Sequence, residues 1–285
     1  MRLRIRSVQN TQQITRAMQM VASAKLHRSQ ERATASRPYT DEMTAVISTI
    51  TQRTQGLSDP LLTPREVERV GYLLITSDQG LAGAYNANLS TAFLNDVRAR
   101  DLQDPVVFVV GKKGVEFLRH RGMEPVSTVV DLPDYPSFHD VSEIAEQAVQ
   151  LFLDHAYDAL YLVYSKFVNT LVQRPTIQPL LPLTDLPQQQ GGHGPKAEIL
   201  YEPSAEEVLA ALLPRYARTL IFNAVLEAKA SEQAARMVAM KNATDNAQEL
   251  IEQLQLQYNK ARQAAITTQI VEISGGAEAL RAMQQ

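Results

Sequence analysis

The stretch from Ser204 to Met283 holds a single proline, Pro214, and its only glycines are the pair Gly275-Gly276. The rest is mostly Ala, Leu, Gln, Glu, Lys, Arg and Met, the residues that lose least on entering a helix. At 1.5 Å per residue, a continuous helix of this span is roughly 120 Å long. An ordinary globular helix has about 10–14 residues. No compact domain accommodates such an element, so the chain has to be organised along it.

The spacing of apolar residues says how that helix is covered. Ile251, Leu254, Tyr258, Ala261, Ala265 and Thr268 step by three and four, a seam that holds one face when the helix supercoils left-handedly. Upstream the seam reads Ser231, Ala235, Val238, Asn242 and Asp245. A dimeric zipper would place Leu, Ile or Val there. Small and polar residues predict close helix approach with weak specification, or a surface that slides past other groups. The same spacing also fits a long amphipathic helix in a bundle.

The N-terminal end offers the only comparable element. Residues 1–54 read as a helix in which Ser7, Thr11, Ile14, Met18, Val21 and Lys25 form a stripe, flanked by Ile5 and Val8 and continued by Met43, Ile47 and Ile50. Arg37-Pro38 is a candidate kink, because proline removes a backbone donor and restricts its predecessor. Long helices at both ends with a compact middle predict an antiparallel coiled coil carrying a small lobe.

Residues 1–37 carry eight Lys/Arg against one acid, Glu31, while the rest of the chain holds 20 basic and 30 acidic residues. Such asymmetry marks a basic end that meets an acidic or polar partner and gives no global bias toward nucleic acid. With no cysteine, disulfides, thiolate metal sites and thiol switches are excluded. No apolar run is read as reaching the ~18–20 residues that span a bilayer. The Arg-rich start looks superficially like a transit peptide, but the helical pattern begins at once and continues without a cleavage-like break.

Gly56, Pro60 and Pro64 mark a linker, after which the period changes. Gly71–Thr76, Pro105–Val110, Val126–Val130 and Ala159–Tyr164 read as short buried strands, and Pro175–Leu183 as a proline-interrupted edge. Asn88–Arg100, Lys113–Arg121 and Val141–His155 have helical spacing. Strand and helix alternate, so the middle is expected to be a small doubly wound α/β lobe. Gln188–Lys196 reads as a flexible loop, Ile199–Tyr201 as a short strand, and Ser204 as the cap of the last helix. The expected division is a helix over 1–56, an α/β lobe over 67–202 and a helix over 204–283.

Candidate chemistry is sparse. Asp78-Gln-Gly-Leu-Ala-Gly83 follows the first strand, where a dinucleotide fold places its phosphate turn, but it carries G-x-x-G instead of G-x-G-x-x-G. Gly111-Lys112-Lys113-Gly114 follows the second strand, lacks the acid and is no P-loop, so both read as structural turns. His27, His120, His139, His155 and His193 are scattered without ligand spacing. Asp131, Asp134 and Asp140 lie in a proline-rich turn and are expected to shape it. Neither a catalytic constellation, a metal site nor a cofactor site is read.

Four segments then resemble a known family. Ile5–Leu26, Gly71–Asn86, Ala234–Ala247 and Tyr258–Ala277 look like the gamma subunit of the rotary ATP synthase, in the same order over nearly the whole chain. The resemblance implies a central rotor shaft inside a ring of three alpha and three beta subunits, its lobe resting on the c-subunit ring beside the epsilon subunit. It couples rotation of that ring to nucleotide affinity in the beta subunits, regulating ATPase activity and proton flow. The chain itself would be non-catalytic, without direct membrane insertion, and peripheral on the cytoplasmic face of a bacterial membrane. It further implies that Met18, Lys25, Arg236, Arg262, Gln263, Gln269 and Glu272 contact beta subunits, Arg262 and Gln263 through an acidic loop. Arginine suits that role because its planar fork matches a carboxylate.

The departures are local. Gln269 stands where the family usually has Glu, Val271 replaces a common Thr, and the start is several residues shorter than usual. The extra lobe segment and redox cysteines of photosynthetic relatives are absent, which favours a bacterial type. Gly275-Gly276 is read as letting the shaft tip pass a tight collar, with a C-cap as the plain alternative. Competing with the shaft are a nucleotide-dependent α/β enzyme dimerised by its long helices, and a generic coiled-coil adaptor.

Overall fold

The computed structural model describes residues 1–53, 59–184, 201–202 and 204–282. The expected linker glycine Gly56, the loop Gln188–Lys196, and Ile199 and Leu200 of the short strand lie outside the described residues, as does Met283; Tyr201 is described and is not in a strand. The elements run α1 (Arg2–Arg53), β1 (Val70–Ile75), α2 (Tyr85–Ala99), β2 (Val106–Val110), α3 (Lys112–Arg119), β3 (Ser127–Val129), α4 (Phe138–Leu153), β4 (Ala159–Phe167), β5 (Gln173–Leu181) and α5 (Ala205–Ala282). They form two compact units, Met1–Met20 with Ala239–Gln285 and Val21–Val238.

In the smaller unit α1 and α5 run antiparallel. Arg2 Nε donates to Tyr258 Oη at 2.7 Å, Gln12 bonds Gln248 at 2.8 Å, and the hydroxyls of Thr15 and Thr244 meet at 2.8 Å. Covered positions line up as Ile5, Val8, Gln12, Thr15 and Gln19 on α1, with Met18 half-buried beside them, against Met240, Thr244, Ala247, Ile251, Leu254 and Tyr258 on α5. Both sets keep the alternating three/four step of a supercoiled seam.

The rows differ from the expected ones. On α1 the residues read as flanking, Ile5 and Val8, line the seam, while Ser7, Thr11 and Ile14 face solvent, Ile14 at 59% exposure. On α5, Asn242 and Asp245 are exposed, as desolvating an amide and a carboxylate without partners is costly. Ala261, Ala265 and Thr268 are exposed too, because the row of covered positions ends at Tyr258.

The larger unit is built on a five-stranded sheet of order β3-β2-β1-β4-β5. All pairings are parallel except β4 with β5, an antiparallel edge bearing Pro175 and Pro179, where missing amides do least harm. β1 is buried on both faces, as its unbroken apolar run predicts. Tyr72 and Leu74 point with Val107 and Val109 toward α2 and α3, where Leu89, Phe93 and Leu118 pack. Leu73 and Ile75 point with Phe108 and Val110 to the other side, against α4, Met43, Ile47 and Ile50 of α1, and Leu213, Ile221 and Val225 of α5. Helices on both faces make the lobe doubly wound, with α1 and α5 supplying part of one layer.

Within this unit α1 and α5 are again antiparallel: Asn223 Nδ2 donates to Thr40 Oγ1 at 2.6 Å, and Thr44 and Tyr216 share a 3.0 Å hydrogen bond. α1 continues through Pro38. It buries Ala22, Leu26 and Ser29, whereas Val21 of the expected stripe is exposed.

Local chemistry sets several boundaries. Ser137 and Asp140 form a reciprocal capping box, so α4 starts three residues before the expected Val141. Ser204 Oγ accepts from the Glu207 N–H at 3.2 Å and caps α5 as its type predicts. A window of α5 within Ala205–Ala277 is long and apolar enough, by length and composition, to cross a membrane, contrary to the sequence reading. Of that window 44% is buried in the chain, which fits a core helix.

Candidate functional site

In an open α/β sheet, ligands bind where the crossover direction reverses, at the carboxyl ends of the strands. Here the reversal falls between β1 and β4. Thr76 Oγ1, just past β1, donates to the Val110 carbonyl at 3.0 Å and accepts from the Gly114 N–H at 2.8 Å. A Cβ at Gly114 would lie 2.7 Å from Val109 Cγ1 and 2.8 Å from Thr76 Oγ1, and Gly111 has φ +98°. The Gly111–Gly114 turn is therefore wrapped onto Thr76, with no room left for a phosphate between them. Asp78 closes the edge further: its Oδ1 accepts from the N–H groups of Lys112 and Asp131, each at 3.0 Å.

α5 lies over what remains. Tyr85 Oη donates to the Ala228 carbonyl at 3.2 Å, and Ser231 Oγ to the Ser165 carbonyl at 2.7 Å. Burial pushes the Tyr85 phenol well above its usual range, reinforced by the nearby Glu232 carboxylate and opposed by Arg236. Lys229 Nζ sits 3.9 Å from Asp78 Oδ2 and 3.8 Å from Glu232 Oε2. Arg236 Nη2 pairs with Glu232 Oε1 at 2.7 Å and donates to the carbonyls of Gln79 and Gly80 at 3.3 Å. The crevice a nucleotide would use is occupied by the chain's own helix.

The residues expected to face partners are therefore placed differently from one another. Arg236 is only 7% exposed and its guanidinium is engaged inside the chain, so it is not presented at the surface as the resemblance implied. Burial by α5's own neighbours is the reason: Gln79 and Gly80 lie across from it. Lys25, half-exposed, forms a 2.8 Å pair with Asp134. An exposed pair of this kind is worth up to about 1 kcal/mol, little enough to be exchanged for another acid. Met18, in the smaller unit, is half-buried beside the seam.

Arg262, Gln263, Gln269 and Glu272 are all exposed on α5. Arg262, Ile266, Gln269 and Ile273 follow at steps of four, three and four and share a face, so a basic and an amide group alternate with bare isoleucines. Ile270, Val271 and Ile273 are exposed as well, Ile273 at 74%. Sequence reasoning missed the group Asp78, Lys229 and Glu232. The signal was present, since Lys229, Glu232 and Arg236 stand three and four apart in a stretch otherwise dominated by Ala, Ser and Gln.

A sequence-family model described as ATP synthase matches residues 1–280. Among solved structures, the chain is similar to one from the mitochondrial ATP synthase central stalk and c-ring of Tetrahymena thermophila (TM-score 0.62, 25% identity, 81% of this chain and 99% of that one). It is also similar to a chain of the Euglena gracilis mitochondrial ATP synthase rotor in rotational state 1 (TM-score 0.64, 21% identity, 93% and 97% covered). A further match is a chain of the Euglena gracilis OSCP/F1/c-ring assembly in rotational state 3 (TM-score 0.71, 21% identity, 100% and 94% covered).

Proposed function

The chain belongs to the gamma-subunit family of the ATP synthase, and from that premise we propose how its rotor role is carried out, residue by residue. It is the rotor shaft of that complex, with the F1 sector and the c-ring as partners in a membrane-associated assembly. The finer reading is that alpha and beta subunits of the catalytic hexamer close around α5, that the α/β lobe rests on the c-ring beside the epsilon subunit, and that the coupling ion is the proton. The chain makes and breaks no bonds itself, inserts no segment into the bilayer, and sits on the cytoplasmic face of a bacterial membrane.

One observation carries this reading: the α5 residues from Arg262 to Ile273 are exposed although isoleucine and valine recur among them. Apolar side chains left bare along a single helix mark a surface that something else covers. Met18, Lys25, Arg262, Gln263, Gln269 and Glu272 are the side chains assigned to beta-subunit contact. A shaft has to leave each angular position again, so each contact has to be weak singly; scattered amides and single charges meet that requirement better than a continuous apolar seam. The closed crevice weighs against the nucleotide-dependent enzyme.

Reconstitution tests the assignment. Alpha and beta subunits assembled with the chain should hydrolyse ATP faster than without it. Arg262→Ala with Gln263→Ala should lower the rate by about tenfold to a hundredfold, as loss of charge-assisted hydrogen bonds worth about 1.5–3 kcal/mol predicts. An unchanged rate in the assembled variant would remove the tip from the coupling surface. Tight nucleotide binding by the isolated chain would favour the enzyme reading instead.

A further inference from the structure

Four ionisable side chains of opposite sign are buried together in the larger unit, where α5 crosses the carboxyl edge of the sheet. Side-chain exposure is 13% for Asp78, 10% for Lys229, 6% for Glu232 and 9% for Arg236. We propose that these residues form a torsional anchor, fixing the angular setting of α5 on the α/β lobe so that torque passes between lobe and shaft without slip. The proposal deepens the rotor reading and rests on it.

The reasoning starts from the packing at this crossing. Apart from the charged set and Gln233, the buried α5 residues there are small: Ala228, Ala230, Ser231 and Ala234. Small residues bring backbones close but offer little resistance to rolling, since apolar contact is non-directional. Buried charges behave differently. Advancing a helix by one residue turns its side chains by about 100°, which would carry Lys229 away from Asp78 and Arg236 away from its two carbonyls. A buried charge that loses its partner is strongly unfavourable, so the ionic set penalises rotation where the alanines do not.

The lobe's half of the anchor is rigid. Asp78 is held by backbone donors from the segments after β2 and β3, so its carboxylate is tied to three strand ends at once. Arg236 holds the carbonyls of Gln79 and Gly80 in a turn whose next residue, Leu81, has φ +60°. Ser231 adds a bond to Ser165 on β4, across the switch point from Asp78. The anchor thus grips both strands flanking the reversal, leaving α5 no free edge about which to turn.

The complete ATP synthase in sealed vesicles provides the test, with ATP hydrolysis and ATP-driven proton uptake measured on the same preparation. Asp78→Asn keeps the oxygen that accepts the two backbone N–H groups, and Lys229→Met keeps the bulk of the lysine stem. The pair should leave hydrolysis within about twofold while proton uptake per ATP falls about threefold or more, the range expected when a coupling element is loosened. With the α5 tip clamped in the hexamer, the angular variance of a bead on the lobe should at least double, a change that simple loss of stability would not produce. Lys229→Arg should behave as the parent. If the double variant does not assemble, Lys229→Met alone decides, because it leaves Asp78 its backbone donors. Unchanged uptake per ATP and unchanged variance in assembled variants would overturn the anchor. A parent complex whose shaft does not turn would overturn the rotor reading instead.

Discussion

Replacing Arg236 by Ala removes the guanidinium paired with Glu232 and leaves that carboxylate buried next to a lysine 3.8 Å away. Breaking a buried pair from one side costs about 3–5 kcal/mol, so denaturant unfolding of the chain should show a loss of that order; a loss under 1 kcal/mol would mean the site readily takes up water. Titration separates two other carboxyls by sign. Asp140 is held below the usual range by the backbone and hydroxyl of Ser137, so its share of stability is present above the unfolded pKa and lost as pH falls through the lower folded one. Glu227 is raised by burial, with Lys166 and the Phe167 N–H pulling the other way. Its folded state favours the neutral acid, so its share is present below the unfolded pKa and lost as pH rises through the folded one. Glu227→Gln should therefore raise the unfolding midpoint at neutral pH, and the gain should vanish below about pH 4. An identical gain at every pH would contradict this. At this scale the sequence was only partly legible. The charges at 229, 232 and 236 are plain to see, but which way they face is decided by Asp78, some 150 residues away.

Helix periodicity located α1 and α5 and, over Ile251, Leu254 and Tyr258, the inner face of α5, but not the inner face of α1. The stripe with Ile14, Met18 and Val21 and the row with Ile5, Val8 and Thr15 both fit a three/four step, and the less apolar one faces in. The reason lies across the seam, where Ala247 and the Thr244 hydroxyl accept a small or hydroxylated neighbour and Thr15 supplies one. Exposed Val21 should accept serine with a stability change within about 0.5 kcal/mol, whereas enlarging buried Ala22 to leucine should cost about 1–3 kcal/mol. Denaturation of both variants checks the assignment, and the reverse ordering would mean the outer stripe is the buried one. Gly275 and Gly276 are the other telling element. A Cβ at either meets nothing within 4 Å in this chain, so alanine at both should favour the helix by about 1–2 kcal/mol. Circular dichroism should report the added helix. If a surrounding collar is what requires the glycines, coupled hydrolysis should slow in the same variant; full activity and coupling would remove the collar argument.

At the scale of the whole molecule, composition and order carried the architecture: two long glycine-poor ends and an alternating middle leave few arrangements. What they did not carry is that α5 seals the sheet's ligand crevice, because that requires residues 228–236 to meet a turn near residue 80, a pairing no local pattern records. That closure is why an α/β lobe of nucleotide-binding topology serves here as a mechanical part. The chain's lack of cysteine makes the decisive measurement clean. A single thiol introduced at exposed Arg121 carries a bead, the catalytic hexamer is fixed to a surface, and ATP is added. Sustained turning of the bead in one direction, stopping when ATP is removed, is the predicted result; a bead that only jitters while the complex hydrolyses ATP at its full rate would contradict it.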